Sequence, residues 1–202
     1  SGETAIQIAR QLCDLGLSVT LVINNAKDFP IPEEINVVPF MTFKELNTVL
    51  QKTLSTTHYD YVIHAAAVSD FSLLKIEGAS KANTRKISSS KNIKLVLKPN
   101  IKIISKLANY SRNKNIKIIG FKLTSHADSK AAVAAVQKLF KNKRVSYVVQ
   151  NDVTQIDRKK GVHKFSLFQK NNSSGENLNS RDQLIGHLSK IILSPLLVGG
   201  EK

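Results

Sequence analysis

The feature that most limits how this chain can fold is an alternation of two periods. Apolar runs of strand length keep changing places with amphipathic runs of helical period. Ala5, Ile8, Ala9, Leu12 and Cys13 fall at i, i+3, i+4, i+7 and i+8, which is one helical face, and Gly16 follows as a stop. "LSVTLVI" (17–23) and "INVVPF" (35–40) then read as strands, separated by a loop with two prolines. Thr42 with Glu45 has the spacing of a capping box and opens a helix through about Gln51, with Phe43, Leu46 and Leu50 on one face. "YDYVIHAAAVSDF" (59–71) starts as the next strand.

Residues 68–92 show no clear period and are rich in Ser, Lys and Asn, so they read as a long loop, and long loops in compact domains are usually functional or mobile. "IKLVL" (93–97) is a strand, "IKIISKLANY" (101–110) a short helix and "IKIIGF" (116–121) a buried strand. Residues 129–142 form a helix with Ala132, Val136, Leu139 and Phe140 inward. "VSYVVQ" (145–150) is a strand, and "HKFSLFQ" (163–169) alternates with period two. Ser180 and Gln183 cap a last helix through about Leu193.

Such an order predicts an α/β fold of Rossmann-like, doubly wound type. Its sheet is mostly parallel, carries helices on both faces and ends in a C-terminal antiparallel strand. Ligands of these sheets sit beyond the carboxyl ends of the strands. "HAAAVSD", "LKPN", "GFKLTS" and "QNDVT" are strand ends of that kind and are expected on one rim.

With 202 residues the chain suits a single domain spanning 1–202. Thirty basic against fifteen acidic residues give a net charge of +15, which favours anionic ligands. The cations are spread along the chain, with short clusters at 141–144 and 158–160, and do not interleave with stacking aromatics, which argues against nucleic acid. The one cysteine, Cys13, falls on the apolar face of the first helix and fits a reducing, cytoplasmic setting. No apolar run reaches the roughly 18 residues of a membrane span. The histidines at 58, 64, 126, 163 and 187 lack metal-ligand spacing, so no protein metal site is expected.

Several stretches admit two readings. In "HAAAVSD" the alanines suit either close strand–helix packing or a floor that lets a flat or phosphorylated ligand reach the backbone. Asp70 beyond them could hold a metal ion or ligand hydroxyls, or cap a turn. Lys86, in "TRKISSSKN", could neutralise a polyphosphate or lie on a solvated loop. Lys138 and Lys141 share a helix face near its end, where they could meet a phosphate or complement the helix dipole. "SG" before the first helix suits either a phosphate turn or a plain terminus. Tyr110 and Lys114 match the Tyr-x-x-x-Lys spacing of short-chain dehydrogenases and supply an alternative, a Rossmann-type NADP-dependent oxidoreductase.

Taken in order, "SG" opening a helix, "AAAVSDF", "KISS" before "LVLKPNIKIISKL", "IIGFKL", the helix with "KLFKN" and "VVQNDVTQI" resemble phosphopantothenoylcysteine synthetase in its stand-alone bacterial form. The resemblance implies a ligase of coenzyme A biosynthesis that joins 4′-phosphopantothenate to cysteine. It implies CTP or ATP as co-substrate, an acyl-nucleotide intermediate, Mg²⁺ and a homodimer. It places the nucleotide against Gly2, His64, Ala65, Ala66 and Asp70, with Lys86 as the lysine of a flexible lid over 72–92. Residues Ile101, Lys102, Ile103 and Ile104, then Phe121, Lys138 and Lys141, complete that set, with Lys143 able to replace Lys141. Asn151 and Asp152 stand in the "ND" strand end at the organic substrate, and Lys86 and Asp70 take the catalytic roles.

The chain departs from the commoner family pattern in two places. "KISS" retains one lid lysine, and "IK" at Ile101 and Lys102 replaces a Pro-Asp pair. The resemblance also implies a first strand and a catalytic asparagine upstream of Ser1, in a further stretch of roughly 25 residues, as a doubly wound sheet normally starts on a strand.

Overall fold

The computed structural model describes residues 2–24, 30–77, 92–157, 160–172 and 174–198, with side chains of the last helix as far as Ser194. In chain order the elements are α1 (Glu3–Asp14), β1 (Thr20–Ile23), β2 (Asn36–Pro39), α2 (Phe43–Thr56) and β3 (Tyr61–His64). Next come β4 (Phe71–Glu77), β5 (Lys94–Pro99), α3 (Leu107–Tyr110), β6 (Lys117–Thr124), α4 (Ser129–Phe140) and β7 (Val145–Asp152). The short strands β8 (Ile156–Asp157) and β9 (Val162–His163), then β10 (Phe165–Gln169), β11 (Glu176–Leu178) and α5 (Arg181–Val198), complete the chain.

The chain divides into two compact units, residues 1–66 with 104–202, and residues 67–103. In the larger unit a five-stranded sheet runs in the order β11-β10-β7-β6-β3. β3, β6 and β7 are parallel, and β10 is antiparallel to both β7 and β11. β1 and β2 pair in parallel as a separate two-stranded sheet. The doubly wound expectation with its antiparallel C-terminal strand holds.

Side-chain alternation explains why both faces of the sheet are covered. Ile119 and Val149 join Ile8 and Leu12 of α1 and Leu184 and Leu188 of α5 in one core. Ile118 and Val148, one residue earlier on their strands, point to the opposite face and are also fully buried. On the helix that packs against β6 and β7, α4, Val136 and Phe140 are buried. α1 serves two cores, because Ile6 and Ala9 pack with Leu21, Ile23 and Ile35 instead. Each fully buried Leu or Ile contributes about 2 kcal/mol.

The helix starts follow their sequence signals. The Thr42 hydroxyl accepts from Glu45 N at 3.2 Å, and Glu45 Oε2 accepts from the Thr42 and Met41 amides at 3.2 and 2.7 Å. That box is worth about 1 kcal/mol. At α5, Gln183 N donates to Ser180 Oγ at 3.2 Å, and Gln183 Oε1 accepts from Asn179 N at 2.7 Å. α5 runs to Val198, beyond the expected end, because Pro195 does not break it.

Three expectations need correction. Residues 72–77, read as the start of a lid loop, lie in β4, where apolar and polar residues alternate apart from one bulge between Leu73 and Lys75. "LKPN" does not end a strand of the main sheet, because β5 pairs antiparallel with β4 in the smaller unit. Residues 101–110 are not one helix but a 3₁₀ turn (Ile103–Ser105) followed by the single turn of α3. The remainder of the lid, including Lys86, lies outside the described residues.

Candidate active site

Three of the four expected strand ends do converge. β3, β6 and β7 lie side by side and parallel, so His64, Thr124 and Asp152 end them in the same direction. Their carboxyl rim is a polar cluster in an otherwise apolar sheet.

At the centre of that cluster is Asp152, which is 4 % exposed. Its carboxylate accepts from Thr124 Oγ1 (2.6 Å), Thr154 Oγ1 (2.7 Å), Thr154 N (3.0 Å), His126 N (3.1 Å) and Ala127 N (3.2 Å). These bonds, led by that from Thr124, hold its pKa well below the usual carboxylate range. Asp152 therefore ties the loop after β6, including His126 with its positive φ of 52°, to the turn after β7. Next to it, Gln150 Nε2 donates to Thr124 Oγ1 at 2.9 Å. Asn151 points to the other face, where its amide nitrogen lies 3.1 Å from His163 Nε2. His163 in turn packs on the Phe165 ring, with centroids 4.1 Å apart.

His64 ends β3 opposite Gly120 of β6. Burial pushes its imidazole pKa down to about 4, so it is neutral near pH 7. Ala65 after it is half-buried and Ala66 is exposed, which leaves an open, small-residue surface at the strand end. Gly2 leads into α1, and a Cβ there would stand 2.6 Å from Ile23 Cδ1. The α1 entry therefore lies against the end of β1, with no side chain capping its first amides.

A second group forms around the middle of β6. Ile104 and Leu139 flank Gly120, where a Cβ would meet them at 2.8 and 3.1 Å. Asn142 Nδ2 donates to the Ile104 carbonyl at 3.0 Å. Lys138 and Lys141 are exposed at the end of α4, next in sequence to Leu139 and Asn142. α4 runs back toward the start of β7, which separates these lysines from Asn151 and Asp152. Phe121 is half-buried against the core shared with α1 and α5.

In the smaller unit Asp70 pairs with the Lys102 ammonium, and the two side chains are 61 % and 66 % exposed. Ile101 is exposed and Ile103 buried. Among the described residues no group of three or more His, Cys, Asp or Glu could hold a metal ion. Tyr110 and Lys114 do not make a dehydrogenase pair. The tyrosine hydroxyl donates to Asn47 Oδ1 at 2.8 Å and the lysine to the Ser111 carbonyl at 3.1 Å, just before β6 begins and so at the edge opposite the rim.

Comparison with known proteins places this arrangement. Residues 1–194 match the family model described as the DNA/pantothenate metabolism flavoprotein C-terminal domain. The chain belongs to that family. The resemblance to phosphopantothenoylcysteine synthetase read from the sequence agrees with the match. The chain is 24 % identical over 198 residues to the coenzyme A biosynthesis bifunctional protein CoaBC of Methanocaldococcus jannaschii, covering 96 % of this chain and 46 % of that protein. It is 28 % identical over 152 residues to the CoaBC of Thermococcus kodakarensis, covering 75 % of this chain and 35 % of that one. It thus spans less than half the length of these relatives. Among solved structures it resembles the DNA/pantothenate metabolism flavoprotein of Streptococcus pneumoniae, with a TM-score of 0.80 and 24 % identity over 96 % of this chain and 88 % of that one. It also resembles the Cab2 mutant H337A in complex with phosphopantothenate-cysteine, with a TM-score of 0.71 and 16 % identity over all of this chain and 80 % of that one.

Thr124, Gln150, Thr154 and His163 were not singled out from the sequence. The signal for one of them was weak but present: Gln150 extends "QND" into three consecutive polar residues closing an apolar strand.

Proposed function

We propose that this chain is a phosphopantothenate–cysteine ligase of coenzyme A biosynthesis. The observation that carries the reading is the polar rim closed by Asn151 and Asp152 at the end of a buried strand, in a member of this family. A carboxylate oxygen of 4′-phosphopantothenate attacks the α-phosphorus of CTP, and the bond to the departing pyrophosphate breaks. The cysteine amine then attacks the acyl carbon, the nucleoside monophosphate leaves and the amine loses a proton.

By the family resemblance, the nucleotide residues are Gly2, His64, Ala65, Ala66, Asp70, Lys86, Ile101, Lys102, Ile103, Ile104, Phe121, Lys138 and Lys141. A neutral His64 and bare alanines suit a base or ribose better than a phosphate. Asn151 faces the organic substrate, and Asp152 holds the rim in shape through its five hydrogen bonds. Mg²⁺ fits as an ion carried on the triphosphate with one or two carboxylates, since it rarely needs an all-protein cage. It would offset charge developing on the phosphates.

We further propose that two copies pair. β4 and β5 place Phe71, Leu73, Ile76, Leu95, Leu97 and Pro99 on one face, and Ser72, Lys75, Glu77, Lys94, Val96 and Lys98 on the other. Phe71, Leu73, Leu74, Leu95 and Leu97 are each 50–57 % exposed. Half of a large apolar side chain is about 100 Å², so these five offer on the order of 500 Å². A stable interface takes about 800 Å² from each partner. The charged opposite face excludes an apolar partner there, and the apolar face is complementary to itself.

The test is pyrophosphate release from 4′-phosphopantothenate, cysteine and Mg²⁺ with either CTP or ATP. Turnover that needs all three substrates, and falls about 100-fold in Lys86→Ala with unchanged thermal midpoint, is expected. Nucleotide-independent behaviour, or NADPH binding in its place, would reject the ligase.

A further inference from the structure

Asn151 is 8 % exposed, yet its side chain is only half satisfied. Its amide nitrogen faces His163 Nε2 at 3.1 Å. Among the described residues nothing donates to its carbonyl oxygen, and that oxygen is not sealed from solvent with the fully buried orphans, Arg181 Nε and Ser189 Oγ. A buried amide with one end held and the other open at a ligand rim is a reading head. Its polarity depends on which end the imidazole holds.

An amide nitrogen only donates, so the imidazole nitrogen facing it must accept. His163 Nε2 is therefore unprotonated in this arrangement, and the carbonyl of Asn151 is turned outward. The imidazole is itself fixed. It sits on β9, where His163 pairs with Ile156, and its ring lies on the buried Phe165 ring. Neighbouring Gln150 and Asp152 cannot replace it, since both are bound to Thr124 on the opposite face of the strand. A carbonyl acceptor repels phosphate oxygens, which are also acceptors, and attracts N–H or O–H groups.

We propose that His163 is a positioning residue that fixes the Asn151 amide with its carbonyl outward. Asn151 then reads an N–H or O–H donor on the non-phosphate part of a substrate, not a phosphate. This rests on the ligase reading for the identity of the donor, which belongs to pantothenate or to the cysteine amine. The polarity of the pair does not rest on it.

Two variants separate the ring from the acceptor. His163→Phe keeps a ring against Phe165 but cannot accept. His163→Gln loses the ring but can accept through its amide oxygen. His163→Phe should raise KM for 4′-phosphopantothenate or for cysteine about tenfold, the worth of one lost oriented hydrogen bond, with KM for CTP and the thermal midpoint unchanged. His163→Gln should recover most of that loss.

Equal losses in both variants together with a lowered midpoint would make His163 merely structural and overturn the proposal. So would a shift confined to CTP. Nitrogen NMR of the unaltered chain gives a reading independent of turnover. A correlation across the hydrogen bond from the Asn151 amide nitrogen to an unprotonated His163 Nε2 is expected. A protonated Nε2 donating to the amide oxygen refutes the polarity. A silent ligase assay with that correlation intact rejects the ligase reading and leaves the polarity standing.

Discussion

The two compact units obey the same alternation rule with opposite results. In the larger unit both faces of the central strands are covered: Ile118 and Val148 point one way, Ile119 and Val149 the other, and all four are fully buried. In the smaller unit β4 and β5 sort their residues just as cleanly, but Phe71, Leu73, Leu95 and Leu97 of the apolar set are about half exposed. A two-stranded antiparallel pair is marginal by itself, and a contiguous apolar patch on it marks an interaction surface. The polar groups show the reverse contrast. In the larger unit the buried Gln150 and Asp152 are knitted into a network with Thr124 and Thr154, whereas the hairpin has exposed ion pairs such as Lys75–Glu77 at 2.6 Å. Stability and rim geometry therefore belong to the larger unit, and the proposed pairing rests on the smaller one.

The sharpest way to break that division is to charge the hairpin. Leu95→Glu with Leu97→Glu should weaken self-association by at least 100-fold in sedimentation equilibrium. Like charges would then meet across a symmetric contact. The thermal midpoint of the larger unit should not move. A variant that stays paired would place the interface elsewhere, and one that unfolds would show that the apolar face is covered within the chain.

The converse substitution belongs in the larger unit. Gly120 is buried between Ile104 and Leu139, and a Cβ would stand 2.8 Å from the first. Gly120→Val should cost about 2–3 kcal/mol in denaturant unfolding, as overpacking of a tight core does. It should also displace the Ile104 carbonyl from Asn142, and so raise KM for the nucleotide. Association through the hairpin should persist.

How far the sequence could foresee this contrast depends on where local pattern decides and where partners do. The sheet was legible because strands buried on both faces read as near-continuous apolar runs, and "IKIIGF" and "VSYVVQ" come close to that. The Thr42 and Ser180 caps were legible because capping is local. The strand at 71–77 was missed because its bulge interrupts the period after Leu73, and a seven-residue window then shows two half-patterns. The division of the predicted nucleotide residues into two groups was missed for a different reason. Lys138 and Phe121 are close in sequence, but α4 reverses direction between β6 and β7 and takes the lysines toward the start of β7. The Asn151–His163 pair spans twelve residues, with β8 between and His163 on β9, and nothing local announces such a contact.

Acid should also tell the units apart. His64 is held down to about 4 from 6.5 by burial. Below 6.5 the unfolded chain takes up a proton that the folded state refuses, so stability falls until about pH 4 and then levels. Asp152 is held below the usual carboxylate range by its donors, so its contribution is present above about pH 4 and is lost as the pH falls further. The larger unit should thus lose stability in two successive steps on acidification. Hydrogen exchange followed by peptide at pH 7, 5 and 3 should show protection of β6 and β7 declining through both. Protection of β4 and β5 should follow association instead. Replacing His64 with Gln should remove the upper step alone, and persistence of that step would assign it to another group.

The smallest expected effect concerns Asp70, and its smallness gives it value. The Asp70–Lys102 pair is exposed on both sides, and such pairs are worth about 0–1 kcal/mol. Asp70→Asn should therefore leave the thermal midpoint of the chain within experimental error, and Lys102→Ala likewise. If Asp70 meets the Mg²⁺-nucleotide, Asp70→Asn should still lower kcat/KM for CTP, and raising Mg²⁺ should recover part of the loss. Lys102→Ala, which keeps the carboxylate itself, should not reproduce that loss. Matching losses in the two variants would mean that the ion pair shapes the turn after β3 and that the carboxylate has no contact with the nucleotide. A fall in stability in either would show that an exposed pair in the hairpin unit matters to folding, against the contrast drawn between the two units.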